Sequence, residues 1–209
     1  YQQGHQQGYH QRKAQTLSGD FEISLLILAS VVIKADGKVD DRELNFVRTQ
    51  FVGMYGKERA NKAFQLFKGV LKKQVSARQV CIQIRQHMPH SSRLQLVHFL
   101  FGIAKADEHV SEIEVDEIRK IAGYLYINQY DFESIKAMFY SSSDSAYKIL
   151  EIETSASDSE LKTAYRKMVK KYHPDKLIGL GDEHLKGAKE KFQKIQAAYE
   201  TIKNERGLS

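Results

Sequence analysis

Proline is almost absent from this chain: two occur in 209 residues, alongside one cysteine and no tryptophan. Proline removes a backbone donor and breaks helix interiors. Its scarcity, with an ordinary hydrophobic share of 42%, points to a largely helical globular protein of one or two domains. One thiol excludes a disulfide framework and a cysteine zinc site. Cys81, near Val80, Ile82 and Ile84, reads as a small buried hydrophobe in a reducing compartment. Long hydrophobic runs are also missing. Ile23 to Ile33 is apolar almost throughout but only eleven residues long, too short to cross a bilayer and suited to a buried central helix. The net charge of +6 leaves neither half basic enough to imply nucleic acid. No nucleophile–base pair, phosphate loop or dedicated metal-ligand spacing appears, which argues against an enzyme.

Residues 1–17 form a polar Gln/Gly/His-rich tail, headed by Tyr1-Gln2-Gln3-Gly4-His5, that cannot bury enough surface to order itself. Its histidines can hold transition metals only loosely. A start at Tyr1 rather than Met carries the expectation of an excerpt, with an upstream membrane anchor or signal lost.

Beyond the tail, apolar periodicity and polar turns predict helices near 20–35, 40–54, 58–74, 76–87, 91–106, 111–126 and 130–140. An internal repeat organises them. Lys34-Ala35-Asp36-Gly37-Lys38-Val39-Asp40-Asp41-Arg42-Glu43-Leu44 aligns with Lys105-Ala106-Asp107-Glu108-His109-Val110-Ser111-Glu112-Ile113-Glu114-Val115. Each copy follows an apolar helix and opens an amphipathic one. Asp40 with Glu43, and Ser111 with Glu114, are spaced as capping boxes, and Val39 with Leu44, and Val110 with Val115, as hydrophobic staples. A seven-helix bundle around the two apolar helices is the economical arrangement. Tyr124, Tyr126, Tyr130, Phe132, Phe139 and Tyr140 are read as core and domain-contact residues.

The last third is organised around His173-Pro174-Asp175. Before it, Leu161, Ala164, Tyr165, Met168, Val169 and Tyr172 recur at helical spacing, while Lys162, Arg166, Lys167, Lys170 and Lys171 occupy the complementary face. Ser157 and Glu160 form a capping box at the start. Pro174 ends the helix, because the residue before proline is pushed out of helical geometry. A second helix, Leu185 to Lys203, carries Ala188, Phe192, Ile195, Tyr199 and Ile202 as the seam of an antiparallel hairpin. A short turn, Tyr147 to Leu150, covers the open side.

These residues, with Ala164-Tyr165-Arg166-Lys167 and Tyr172-His173-Pro174-Asp175-Lys176 in order, resemble a J domain of the DnaJ family over about residues 144–206. The resemblance implies cochaperone action: docking on an Hsp70 (DnaK) and stimulation of its ATPase, with the hydrolytic groups on the partner. His173, Pro174, Asp175, Lys162, Arg166, Lys167, Lys170 and Lys171 are the residues it implicates, the basic ones steering toward an acidic groove. The cysteine-rich zinc module of larger DnaJ proteins is absent. The Ala-Asp-Gly corner and its echo resemble TerB-like domains over about residues 18–142, and the join of the two resembles DjlA-type DnaJ proteins of bacteria.

The expected architecture is therefore all-α: a TerB-like bundle of about seven helices at 18–142, followed by a small J-domain hairpin at 143–209. The TerB-like half is expected to select an unknown client, partner or location. No cofactor is required on this reading. The resemblance to TerB-like domains also admits a divalent cation at the acidic corners, with Asp36, Glu43, Asp107 and Glu114 as candidate ligands. Capping is the preferred reading, since Glu43 and Glu114 already have that role and the spacing lacks the alternation of an EF-hand loop. A stress- or metal-responsive TerB-like module using the J domain as effector is the alternative function. The expected location is the cytoplasm, or the cytoplasmic face of the inner membrane if an anchor precedes the sequence.

Overall fold

The computed structural model describes residues 18–106, 111–140, 142–173 and 182–208, and within them the chain is all-α, with ten helices and no strands. The N-terminal half contains α1 (Ser18–Ile33), α2 (Asp41–Tyr55), α3 (Lys57–Leu71), α4 (Ala77–His87), α5 (His90–Ala104), α6 (Glu112–Tyr124) and α7 (Gln129–Ala137). The C-terminal half contains α8 (Ser145–Ile149), α9 (Asp158–Tyr172) and α10 (Asp182–Glu205).

Helix starts follow from local chemistry. Asp40 with Glu43, Ser111 with Glu114, and Ser157 with Glu160 all close capping boxes. Ser76 and Asn128 accept the Gln79 and Asp131 amides at the starts of α4 and α7. Each cap is worth about 1 kcal/mol. The staple expected at Val39 is not a buried contact, because Val39 remains 51% exposed; Val110 lies outside the described residues.

The two apolar helices, α1 and α5, sit at the centre of the N-terminal half and pack on each other, with Leu28, Val32, Leu96 and Leu100 buried. Phe101 of α5 meets Phe132 of α7 at 5.4 Å between ring centroids. Gly102 lets α2 approach α5, since a Cβ there would lie 2.6 Å from Phe46 Cζ. Tyr126 and Tyr130 depart from expectation and stay largely exposed. Tyr126 has φ 55 beyond the end of α6, where its amide and that of Ile127 bond back to Gly123 and Ala122. Helix termination, rather than core packing, places it.

In the C-terminal half, α9 and α10 pair, and α8 packs on α10 and on α7 of the other half. Tyr165 and Tyr199 stack at 4.1 Å with ring planes 14° apart. Arg206 donates to the carbonyls of Ala156 and Thr154 and to Asp158, tying the end of the chain to the turn before α9. The halves are packed together. Ser134 Oγ of α7 donates to the Ile149 carbonyl at 2.8 Å, and α10 lies against α5 and α2.

Candidate functional site: the basic helix and the junction of the halves

The capping box at Ser157 aims α9, and Leu161, Ala164, Met168 and Tyr172 bury one side of it. Lys162, Arg166 and Lys170 lie on the exposed side as expected. His173, at the C-cap, is extended (φ −61, ψ 132), the conformation that the following proline imposes. Its ring stands edge-on to Phe192 of α10 at 5.9 Å and 86°, which fixes the direction of the imidazole. Pro174 and Asp175 lie outside the described residues.

Lys167 and Lys171 are not simply part of the solvated basic face. Lys167 Nζ lies 3.1 Å from Glu151 Oε2, although its side chain remains 67% exposed. Lys171, 21% exposed, lies 2.5 Å from Glu151 Oε1 and also pairs with Oδ1 of Asp131. Asp131 belongs to α7 of the other half and is fully buried. His90 Nε2 lies 3.2 Å from its Oδ2, and Asn128 Nδ2 donates to the same oxygen at 3.0 Å. Burial pushes the Asp131 carboxyl up, but hydrogen bonds and charge from His90 and Lys171 outweigh it and hold the group at about 2. Burial likewise opposes the charge on Lys171, and its two carboxylate partners more than compensate, raising its pKa. Glu151 adopts φ 59, a left-handed conformation that costs a non-glycine residue on the order of 1 kcal/mol.

Beside this cluster lies Lys191, fully buried in α10, its Nζ without a hydrogen-bond partner and 5.0 Å from the centroid of the Tyr172 ring. Burial drives its pKa well below that of an ordinary lysine, against the opposing pull of Asp131 and Glu190. The Tyr172 hydroxyl is also buried without a partner, and burial raises its pKa. His98 of α5 is held neutral, first by burial and then by the charges of Lys191 and Lys194. It lines a mostly apolar cavity of about 130 Å³, between the N-terminal half and Gly187 and Glu190 of α10. Gly187 lets α10 come close to α5: a Cβ there would lie 2.5 Å from Gln95 Oε1.

Sequence reasoning missed Asp131, Glu151, Lys191 and His98. Lys191 alone left a signal. The buried seam of α10 is Ala188, Lys191, Ile195, Ala198 and Ile202, spaced three and four apart, whereas Phe192 and Tyr199 are only half-buried. A lysine at a seam position is the anomaly.

The acidic corners are occupied by their own backbones. Asp36 Oδ1 accepts the Lys38 amide at 2.8 Å, Glu43 Oε2 the Asp40 amide at 3.1 Å, and Glu114 Oε2 the Ser111 amide at 2.9 Å. Asp107 lies outside the described residues. Among the described residues, no three His, Cys, Asp or Glu side chains gather as a metal site. Cys81 is buried and burial pushes its thiol up to about 12, so it packs as a hydrophobe. No described helix is long and apolar enough to cross a membrane.

The family model described as Tellurite resistance protein TerB matches residues 22–137, and the DnaJ domain model matches residues 145–207. Among curated proteins, Co-chaperone protein DjlA of Vibrio vulnificus (strain YJ016) is 52% identical over 65 residues, 30% of this chain and 23% of that protein. Co-chaperone protein DjlA of Coxiella burnetii is 45% identical over 65 residues, 30% of this chain and 24% of that protein. Chaperone protein DnaJ of Fusobacterium nucleatum is 46% identical over 56 residues, 27% of this chain and 14% of that protein. The chain thus spans at most about a quarter of each of these relatives. No solved structure matches. Because the TerB match covers more than half of its length, the chain belongs to the TerB family, its TerB domain followed by a C-terminal DnaJ domain.

Proposed function

We propose that this protein is a cochaperone of a bacterial Hsp70 of the DnaK type. The observation that carries the reading is the capped helix α9, which presents Lys162, Arg166 and Lys170 to solvent and ends on a His173 ring seated against Phe192, within a DnaJ domain match. Exposed lysine and arginine on one rigid face accelerate encounter with an acidic groove and set its orientation. His173, Pro174 and Asp175 then favour the ATPase-competent state of the partner, which requires tighter binding to that state than to the alternative. The hydrolytic chemistry stays on the partner, and this chain contributes no catalytic residue.

The TerB half serves on this reading as the element that selects client, partner or location, with no role for nucleic acid. Its two acidic corners act as helix caps rather than cation sites, supported by the engagement of Glu43 and Glu114 with backbone amides. The site of action is the cytoplasm, or the cytoplasmic face of the inner membrane where an anchoring segment is joined to the chain.

The deciding experiment measures single-turnover ATP hydrolysis by purified DnaK with increasing amounts of the chain. Stimulation that saturates and disappears in His173→Gln is expected. Unchanged hydrolysis at saturating protein would overturn the reading.

A further inference from the structure

The tip of the basic helix is held by the protein itself. Lys171 is the member of the α9 face closest to His173, and its ammonium is divided between Asp131 of the TerB half and Glu151. Lys167, one turn back, is bound to the same Glu151. Lys162, Arg166 and Lys170 remain exposed. The two acids are not casual surface partners. Asp131 is fully buried and fixed by His90 and Asn128, so it is aimed at Lys171 from the TerB side. Glu151 holds its position in a backbone conformation that disfavours side chains, a strain that persists only where surroundings impose it.

The same junction contains a built-in weakness. Lys191 is buried there with no hydrogen bond, facing the Tyr172 ring, with Asp131 from α7, Lys171 from α9 and Glu190 on its own helix acting on its charge. An amine that loses hydration without gaining a partner is better satisfied once the halves separate. The ion cluster that stabilises this contact is thus opposed by a buried amine beside it.

We infer that the TerB half is an internal competitor for the J domain: Asp131 clasps Lys171, which Glu151 of the C-terminal half holds from the other side, and the acidic docking surface of the Hsp70 gains this end of α9 by displacing Asp131. The inference rests on the cochaperone reading above and adds regulation to it. Apparent affinity for the Hsp70 is reduced by the fraction of chains that are open. The exposed Lys162, Arg166 and Lys170 provide first contact while the clasp is closed, and the tip is surrendered afterwards. Anything that engages the TerB half and draws α7 from α9 raises the affinity of the J domain for its partner.

The test uses the full chain and two readouts. The first is acetylation of individual lysines by acetic anhydride, followed by mass spectrometry. In wild type Lys171 is expected to react more slowly than Lys170, and in Asp131→Asn the difference shrinks, while Asp131→Glu restores it. The second is the concentration of chain that gives half-maximal stimulation of DnaK, expected to fall about three- to tenfold in Asp131→Asn with the maximum unchanged. Glu151→Gly, which relieves the left-handed strain while removing the other acid, provides a second variant expected to act in the same direction, its fold checked by circular dichroism. Equal reactivity of Lys171 and Lys170 in wild type overturns the clasp whatever DnaK does. Protection of Lys171 that is lost in Asp131→Asn with no change in half-maximal concentration overturns the competition. Absence of stimulation by every variant, with Lys171 still protected, overturns the cochaperone reading and the competition with it, while leaving the contact itself established.

Discussion

Lys191 of α10 lies 5.0 Å from the centroid of the Tyr172 ring of α9, fully buried, and its amine has no hydrogen-bond partner. A charge confined against one aromatic face receives only part of the compensation that water would provide. Burial therefore drives its pKa well below 10.5, which makes this lysine a standing cost to the folded state.

Replacing Lys191 by Met is expected to raise stability at neutral pH by about 1–3 kcal/mol, since the volume is kept and the unpaired amine removed. The sign with pH follows from proton binding. Between its depressed folded value and 10.5, the unfolded chain holds a proton that the folded chain does not, so this residue makes stability rise with pH across that interval. Urea melts at pH 7 to 10 should show Lys191→Met more stable than wild type at the low end, with the difference closing toward pH 10.

Asp131 works in the opposite range. Its carboxyl is lowered from 3.8 to about 2, so its contribution is complete above 3.8 and is lost as pH falls toward 2. The amount at stake is about 2 kcal/mol. Acid unfolding followed by circular dichroism should be steeper in wild type than in Asp131→Asn over that interval, and the curves should run parallel above it.

The basic face should act through position rather than total charge. Reversal of Arg166 to Glu, on the exposed side of α9, is expected to slow association with DnaK and flatten its salt dependence. Reversal of Lys203, on α10 near Glu200, should change either by less than about twofold. Stopped-flow association rates at two ionic strengths compare them directly, and equal effects would identify non-specific charge.

At the repeat corner, Ser111→Ala removes the hydroxyl that accepts the Glu114 amide at 3.2 Å and is expected to cost about 1 kcal/mol. Calcium or magnesium should leave the Tm of wild type and variant unchanged. A Tm that rises with either cation in wild type and no longer does so in Asp36→Asn would make the corner a cation site instead.

Local interactions made much of this protein readable. The capping boxes at Asp40, Ser111 and Ser157 are satisfied within four residues, so the starts of α2, α6 and α9 needed no tertiary information. Apolar spacing showed which side of α9 is buried, and the two apolar helices announced the centre of the bundle. His173 ends α9 because of a rule that acts between neighbouring residues.

Contacts between distant segments were not readable. Lys171 occupies a basic helical face in the one-dimensional pattern, yet it is withdrawn from solvent by Asp131, forty residues earlier, and by Glu151. Lys191 carries the same formal charge as the exposed Lys189 two residues before it and is fully buried. Periodicity records which residues share a face, since that depends on helical geometry alone. The carboxylate facing a lysine, or the ring over an amine, depends on how α9 and α10 pack on each other and how α9 meets α7. Caps and amphipathic spacing determined the helices and the basic face of this chain; only tertiary packing, within the C-terminal half and between the two halves, decided which of those charges are held inside.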